Sequence, residues 1–398
     1  MDPRQNPYSP GAGTIPPELA GRTDIIERVD IAMDRCCNGL SSRGFILVGL
    51  RGVGKTVLLT CLSQNAEAKG LMVVSVETPE KRSLPALLIP VLRSALLRLD
   101  RLALVEEAGK KTMRILGSFI GSMKLKYQDV EFGLDLGQEP GVADSGDLEH
   151  DLVSLFLEMG KAAQRKKTAL VLFIDEIQYI EEDQFAALIM ALHKCAQYQL
   201  PVMLVGAGLP QLVGQAGKAK SYAERLFEYP TVGPLSEEAA RLAIEAPSQK
   251  LHVNYEADAL QEVLMCTQNY PYFLQEWGKH CWAVAAQSPI TLADAQFATQ
   301  LAISDLDASF FRVRFDRLTP NEKKYLRAMA ELGESQCRSG DIAHILTKDV
   351  KAVAPTRASL IKKGMIYSQA HGDNCFTVPL FAAFMKRMIP VFLPGDDY

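Results

Sequence analysis

Eight consecutive residues, Gly49-Leu-Arg-Gly-Val-Gly-Lys-Thr56, fit the pattern GxxxxGK[ST]. They lie between a short apolar run, Phe45 to Val48, and an apolar helical stretch that opens at Val57. Phosphate oxygens need main-chain N–H donors that approach closely. Gly49, Gly52 and Gly54 allow a tight wrap that side chains would obstruct, with Val53 and Val57 in the same cradle. The helix start adds further N–H groups and a positive dipole end. Lys55 is placed to reach the β- and γ-phosphates of ATP as a point charge, and the Thr56 hydroxyl to take one coordination position on Mg²⁺. Arg51, inside the loop, is expected to point to solvent.

A nucleotide site of this kind needs a carboxylate at the end of a neighbouring strand. Leu170-Val-Leu-Phe-Ile-Asp-Glu176 supplies one, about 120 residues downstream. The apolar residues bury the strand and Asp175 emerges from it, to hold Mg²⁺ directly or through water. Glu176 would then polarise the attacking water as a base. The same pair also suits the start of a helix, where acidic side chains meet the dipole.

The elements that must position these groups follow from periodicity. Apolar residues at helical spacing run from Asp24, and the short runs Phe45–Val48, Leu71–Val76, Leu170–Ile174 and Val202–Val205 read as strands. Helical stretches separate all four, which predicts an α/β fold: a parallel sheet with helices on both faces. Residues 1 to about 20 are rich in Pro and Gly and read as an extended lead-in. Residues 106–150 interrupt the scheme, and the alternating string from Met123 to Leu136 predicts a hairpin turning near Gln128-Asp129. The loop-like QEPGVADSGD after it suits a solvated surface or a docking site. From Ser236, an N-cap candidate, to about Leu306 the chain reads as helical, with Thr291-Leu-Ala-Asp294 as a capping box. A third module opens at Thr319-Pro-Asn-Glu322. The organisation expected is therefore a nucleotide-binding core over 1–235, a helical lid over 236–312 and a C-terminal module over 313–390.

That module reads as three helices, at Leu318–Leu332, Ser339–Leu346 and Val353–Lys363, followed by a two-stranded hairpin. This is the winged-helix pattern. Net charge is -4 overall. From Arg314 to Arg387, however, 13 Lys/Arg stand against 7 Asp/Glu, a local +6, so any contact with duplex DNA should map there. Lys348, Lys351, Arg357, Lys362 and Lys363 are the candidates for phosphate contact. Pro355 and Asp373 make the surface less basic than a strong binder would want, and docking of a protein partner is the competing reading.

Other residue types are quieter. The eight cysteines form no CxxC pair and no zinc-ligand cluster with histidine, and are expected to be reduced thiols. The six histidines share no spacing, and Trp277 and Trp282 read as core. No apolar run approaches the ~20 residues of a membrane span, and the N-terminus lacks the features of a secretion signal, so a cytoplasmic protein is expected.

Together, the loop at 49–56 and the Asp175-Glu176 pair resemble the AAA+ division of P-loop ATPases. Leu19-Ala-Gly-Arg22 looks like the GR-box of its origin-recognition-complex-like and signal-transducing (STAND) branches, and Asn269-Tyr-Pro-Tyr-Phe-Leu-Gln275 is similar to their GYP-type lid motif. The resemblance implies that Pro271 lies against adenine. It also implies that Arg225, in Ser221-Tyr-Ala-Glu-Arg-Leu-Phe227, is an arginine finger delivered in trans within a homo-oligomer; a salt bridge to Glu224 or Glu228 is the alternative. Two departures stand out. The strand after the acidic pair ends in Gly206-Ala-Gly208, where most AAA+ enzymes carry a polar sensor of the γ-phosphate, so hydrolysis of ATP is expected to be slow. The lid has no arginine at the second sensor position, and Lys279 is the nearest cation. The resemblance supports two functions: a DNA-associated ATPase, or a nucleotide-controlled signalling switch whose winged helix docks a protein.

Overall fold

The computed structural model describes residues 1–11, 13–99, 107–130, 137–368 and 372–392. Its first region runs α1 (Thr23–Cys37), β1 (Gly44–Val48), α2 (Lys55–Ala68), β2 (Met72–Glu77), α3 (Leu84–Leu99), α4 (Glu107–Lys126) and α5 (Leu148–Arg165). It continues through β3 (Leu170–Asp175), α6 (Glu182–Gln197), β4 (Val202–Gly208), α7 (Leu212–Ala219), α8 (Ala223–Leu226) and β5 (Phe227–Glu228). The five strands form one parallel sheet in the order β2-β3-β4-β1-β5. Alternation along the strands divides the core. Ile46, Val74, Leu172, Ile174 and Leu204 face α3 to α6, whereas Phe45, Leu47, Val171, Phe173 and Val205 face α1 and α2. All six residues of β3 are buried. An apolar run covered on both sides has no polar face to show, which explains why it reads as continuous rather than alternating.

Register puts the chemistry on one edge. Glu77 pairs with Asp175, Ile174 with Gly206 and Val48 with Gly208, so the carboxyl ends of β2, β3, β4 and β1 lie together. Ligands of open α/β sheets sit at this edge.

The second region comprises α9 (Glu237–Gln249), α10 (Ala257–Thr267), α11 (Pro271–Val284) and α12 (Leu292–Leu306). Ser236 caps α9 through Ala239 N, and Thr291 and Asp294 complete a reciprocal capping box. A π-helical turn, Asp307–Phe311, leads into α13 (Arg312–Asp316). The third region follows as α14 (Pro320–Glu331), β6 (Cys337–Arg338), α15 (Ser339–Ile345), α16 (Val350–Lys362), β7 (Ile366–Tyr367), β8 (Asp373–Phe376) and α17 (Phe381–Met388). Thr319 and Glu322 form the capping box of α14, with Pro320 in its first turn. The three strands pair antiparallel in the order β6-β8-β7. The second and third regions share one core: Phe273 contacts Phe311, which stacks on Phe384 with ring centroids 5.1 Å apart.

Several expectations are corrected. Met123–Lys126 form the last turn of α4, not the first strand of a hairpin, because Ile115, Phe119, Ile120 and Met123 recur at helical spacing and are buried. The remainder of the expected hairpin, 131–136, lies outside the described residues. The N-terminal segment is packed rather than loose. Tyr8 is 4% exposed and donates to Ile244 O at 2.5 Å, while Trp282 Nε1 donates to Asp2 O at 2.9 Å. The strand pairs involving β5 and β6 rest on two-residue strands, too short to leave a pattern in sequence. The eight cysteines are free, and Trp277 and Trp282 are in the core. No described helix is long and apolar enough to cross a membrane.

Candidate functional site

The loop between β1 and α2 curls at the carboxyl edge of the sheet. Gly54, at φ 89°, caps α2 in a left-handed conformation closed to most side chains, and Gly52 is similar at φ 83°. Gly49 is required for a different reason: a Cβ there would fall 2.0 Å from Val232 O. Arg22 braces the loop from outside. It is 8% exposed, and its guanidinium donates to Val53 O at 3.1 Å and Gly233 O at 2.5 Å. Arg22, the last residue of the Leu19-Ala-Gly-Arg22 motif, thus ties the Val53 carbonyl of the loop to Gly233 O through one guanidinium.

Lys55 is 6% exposed, and its Nζ donates to Gly49 O at 3.0 Å and Leu50 O at 2.8 Å. Burial pulls its ammonium down to about 8, against the opposing attraction of Glu176 and Asp175; Arg51 adds to the depression. Thr56 Oγ1 donates to Asp175 Oδ2 at 2.6 Å, and Glu176 N donates to Asp175 Oδ1 at 2.8 Å. Burial raises the Asp175 carboxyl above its ordinary value, and the Thr56 hydrogen bond partly offsets this. A hydroxyl and a carboxylate in contact are hard oxygen donors, the set that suits Mg²⁺ when phosphates complete the shell. Among the described residues there is no cluster of three or more His, Cys, Asp or Glu able to hold a metal without such help.

A cavity of about 480 Å³ opens beside the loop. Gly52, Val53, Gly54, Lys55, Thr56, Val57, Glu176 and Pro271 all line it, so most residues chosen from sequence converge on one space. Pro271 opens α11, and the next residue, Tyr272, donates its N–H to Gly52 O at 3.1 Å, tying the helical region to the loop. Asn269, at φ 59°, takes the left-handed conformation that its glycine-like place in the motif implies.

Other candidates lie elsewhere. Lys279 pairs with Glu276 at 3.6 Å and does not line the cavity. Arg225 is exposed on α8, and Glu228, one of its expected partners, pairs with Arg28 at 2.5 Å. Arg51 is not a solvent-facing side chain: it donates to Tyr179 Oη at 2.7 Å, and its main-chain N–H donates to Thr377 O of the third region at 3.0 Å. Arg357 bonds Asn374 Oδ1, Ser368 Oγ and Asp373 O, and Lys363 bonds Glu322 and Arg317 O. Both are committed within the module. Lys348, Lys351 and Lys362 stay exposed.

Sequence reasoning missed three groups that the fold brings to the cavity. Glu77 arrives through register with Asp175. Ser9, Pro10, Gly11 and Thr14 of the N-terminal segment form one wall. Arg314, from α13, reaches in with its guanidinium 4.0 Å from the Phe310 ring, and Phe310 stacks on Tyr272 at 4.9 Å. Burial lowers Arg314 to about 10, with the nearby Arg51 charge adding to the effect, so it stays a cation. No motif surrounds Arg314; only the tertiary fold identifies it.

Residues 18–205 match the family model described as an AAA ATPase domain. The chain carries an AAA ATPase domain of the P-loop class. Residues 308–385 match a second model, a domain of unknown function (DUF8462). No curated protein matches the chain in sequence. Among solved structures, a Walker-type ATPase of Pyrococcus abyssi is similar in fold, with TM-score 0.53 and 14% identity over 92% of this chain and 96% of that one. The Aeropyrum pernix ORC1 protein in complex with DNA gives TM-score 0.43 and 16% identity over 94% of each chain. The Thermotoga maritima RuvB Holliday junction branch migration motor gives 0.45 and 14% over 92% and 96%.

Proposed function

We propose that the protein binds ATP with Mg²⁺ on the loop of its AAA domain, hydrolyses it slowly, and uses the third phosphate to control how the C-terminal module sits. The observation that carries this reading is the hydrogen bond from Arg51 N–H to Thr377 O, which joins the phosphate loop to that module. An N–H engaged by a carbonyl, and a guanidinium engaged by a neutral phenol, are weakly held compared with the same groups on a phosphate. A γ-phosphate arriving near Lys55 competes for both, so ATP loosens the module and ADP leaves it docked. Lys55, Arg51 and Arg314 supply three cations to the phosphate end.

In this reading Thr56 and Asp175 would hold Mg²⁺, which would supply positive charge to neutralise the phosphates. Glu176 accepts a proton from the attacking water, Pro271 packs against adenine, and Arg225 acts across a subunit boundary in a homo-oligomer. The antiparallel sheet β6-β8-β7 and helices α14 to α16 support reading the module, about 313–390, as a winged helix, after a core to about 235 and a lid to about 312. When docked, it turns the end of α16 toward the AAA domain: Ile361, Lys362 and Gly364 share a cleft with Gln178, Tyr179 and Glu181. A protein partner that reads the freed face fits this arrangement, and the protein is then a nucleotide-controlled switch.

A second reading keeps duplex DNA as the partner. Lys348, Lys351 and Lys362, exposed on and beside α16, favour it. Binding measured against salt separates the two, since each phosphate contact steepens the loss of affinity. No binding at low salt in either nucleotide state removes the DNA reading. The switch is tested by limited proteolysis between the AAA domain and the module. Cleavage should rise with a non-hydrolysable triphosphate and Mg²⁺ relative to ADP, and equal cleavage in both states removes it.

A further inference from the structure

The strand that usually presents a polar sensor, β4, ends here in Gly206-Ala207-Gly208, with no side chain to reach the phosphate. The space is nevertheless filled by a polar group. Gln178, on the 3₁₀ turn Ile177–Tyr179 that follows the acidic pair, extends its amide across the end of β4. Its Oε1 accepts from Leu209 N at 3.1 Å, which fixes which end of the amide is the acceptor. Its Nε2 then faces Glu176 and donates to Oε2 of that carboxylate. A Cβ added at Gly208 would fall 2.3 Å from Gln178 Oε1 and 2.4 Å from Leu212 Cδ1, so a side chain at 208 would displace the amide as well as Leu212.

We propose that Gln178 is a positioning residue for hydrolysis, holding the Glu176 carboxylate toward the cavity from the place that a side chain at the end of β4 otherwise takes. Glu176 sits at φ 53° and ψ 39°, its backbone held left-handed, and its flexible side chain takes a fixed direction from this donor. The amide itself is fixed by the main chain at Leu209, directly after β4, so the carboxylate is oriented by backbone rather than by a second flexible group. The missing sensor and the presence of Gln178 become one feature: Gln178 and Leu212 together leave no room for a side chain at Gly208.

The inference rests on the reading of Glu176 as the base, and the test separates the two. Steady-state ATP turnover and ADP affinity are measured for the full chain and for Glu176→Gln, Gln178→Ala, Gly208→Ala and the double variant of the last two. Glu176→Gln should lose nearly all turnover; if it does not, the hydrolysis reading falls. With Glu176→Gln inactive, Gln178→Ala should lower kcat about 10- to 100-fold, the scale of a misdirected catalytic group, with KM and ADP affinity within twofold. Gly208→Ala should reproduce that loss by displacing the amide, and the double variant should be no worse than the poorer single. Unchanged or faster turnover in Gln178→Ala, or losses that multiply in the double variant, would overturn the proposal.

Discussion

The phosphate loop and the C-terminal module are both visible in the sequence, but only the loop discloses its chemistry there. In the loop every group needed is local: three glycines, a lysine and a threonine take their places from one strand–turn–helix, and spacing is enough to specify it. In the module the helices and strands are equally regular, yet the basic residues that suggested a binding surface serve different ends. Arg357 and Lys363 are bonded within the module, whereas Lys351 is exposed. Spacing encodes local backbone geometry, whereas the partner of a long side chain is set by tertiary packing that no short window contains.

The sharpest break in this comparison comes at Lys55. Lys55→Ala removes a charge-assisted contact of ~1.5–3 kcal/mol and leaves the carbonyls of the cradle facing phosphate, so ATP affinity should fall ~100-fold or more. Calorimetry reads this directly, and retained affinity would remove the loop from the account. Next in size, Arg357→Ala should lower stability by ~1–3 kcal/mol, because Asp373 O loses the guanidinium and Asn374 Oδ1 keeps only the Tyr325 hydroxyl, with ATP affinity unchanged. Lys351→Ala should shift the melting point by about 1 °C or less; an equal loss at both sites would mean that α16 is not divided as described.

Asp175→Asn sharpens the contrast from the side of the loop. It should abolish the gain in ATP affinity that Mg²⁺ gives, about tenfold, while leaving affinity in chelator nearly the same. Equal Mg²⁺ dependence in both proteins would reassign the metal. The smallest effect is one of pH. With burial holding Lys55 at about 8 in the free protein, phosphate binding must draw in a proton once pH exceeds that value. ATP affinity should be flat from pH 6.5 to 7.5 and fall toward tenfold per unit above pH 8, and a flat profile to pH 9.5 would argue against Lys55 as the buried cation.

How much was legible follows the same division. The four long strands, their parallel order of use and the capping boxes at Thr291 and Thr319 follow from periodicity and local hydrogen bonding. The segment near Met123 misled because Lys-Leu-Lys alternates at period two while Phe119, Ile120 and Met123 hold a helical stripe, and the longer stripe prevails. Glu77 depended on register, Arg314 on the tertiary placement of α13 after a π-helical turn, and Gln178 on a glycine in another strand. Arg51 lies within the motif itself, but its partner Thr377 is more than three hundred residues away.

Amide hydrogen exchange across residues 372–392, in the presence of ADP or of a non-hydrolysable ATP analogue with Mg²⁺, tests the link between loop and module most directly. The triphosphate should speed exchange there relative to ADP, because it competes for the Arg51 main-chain N–H that otherwise bonds Thr377 O. Identical exchange in the two states, with both nucleotides bound, would contradict the account.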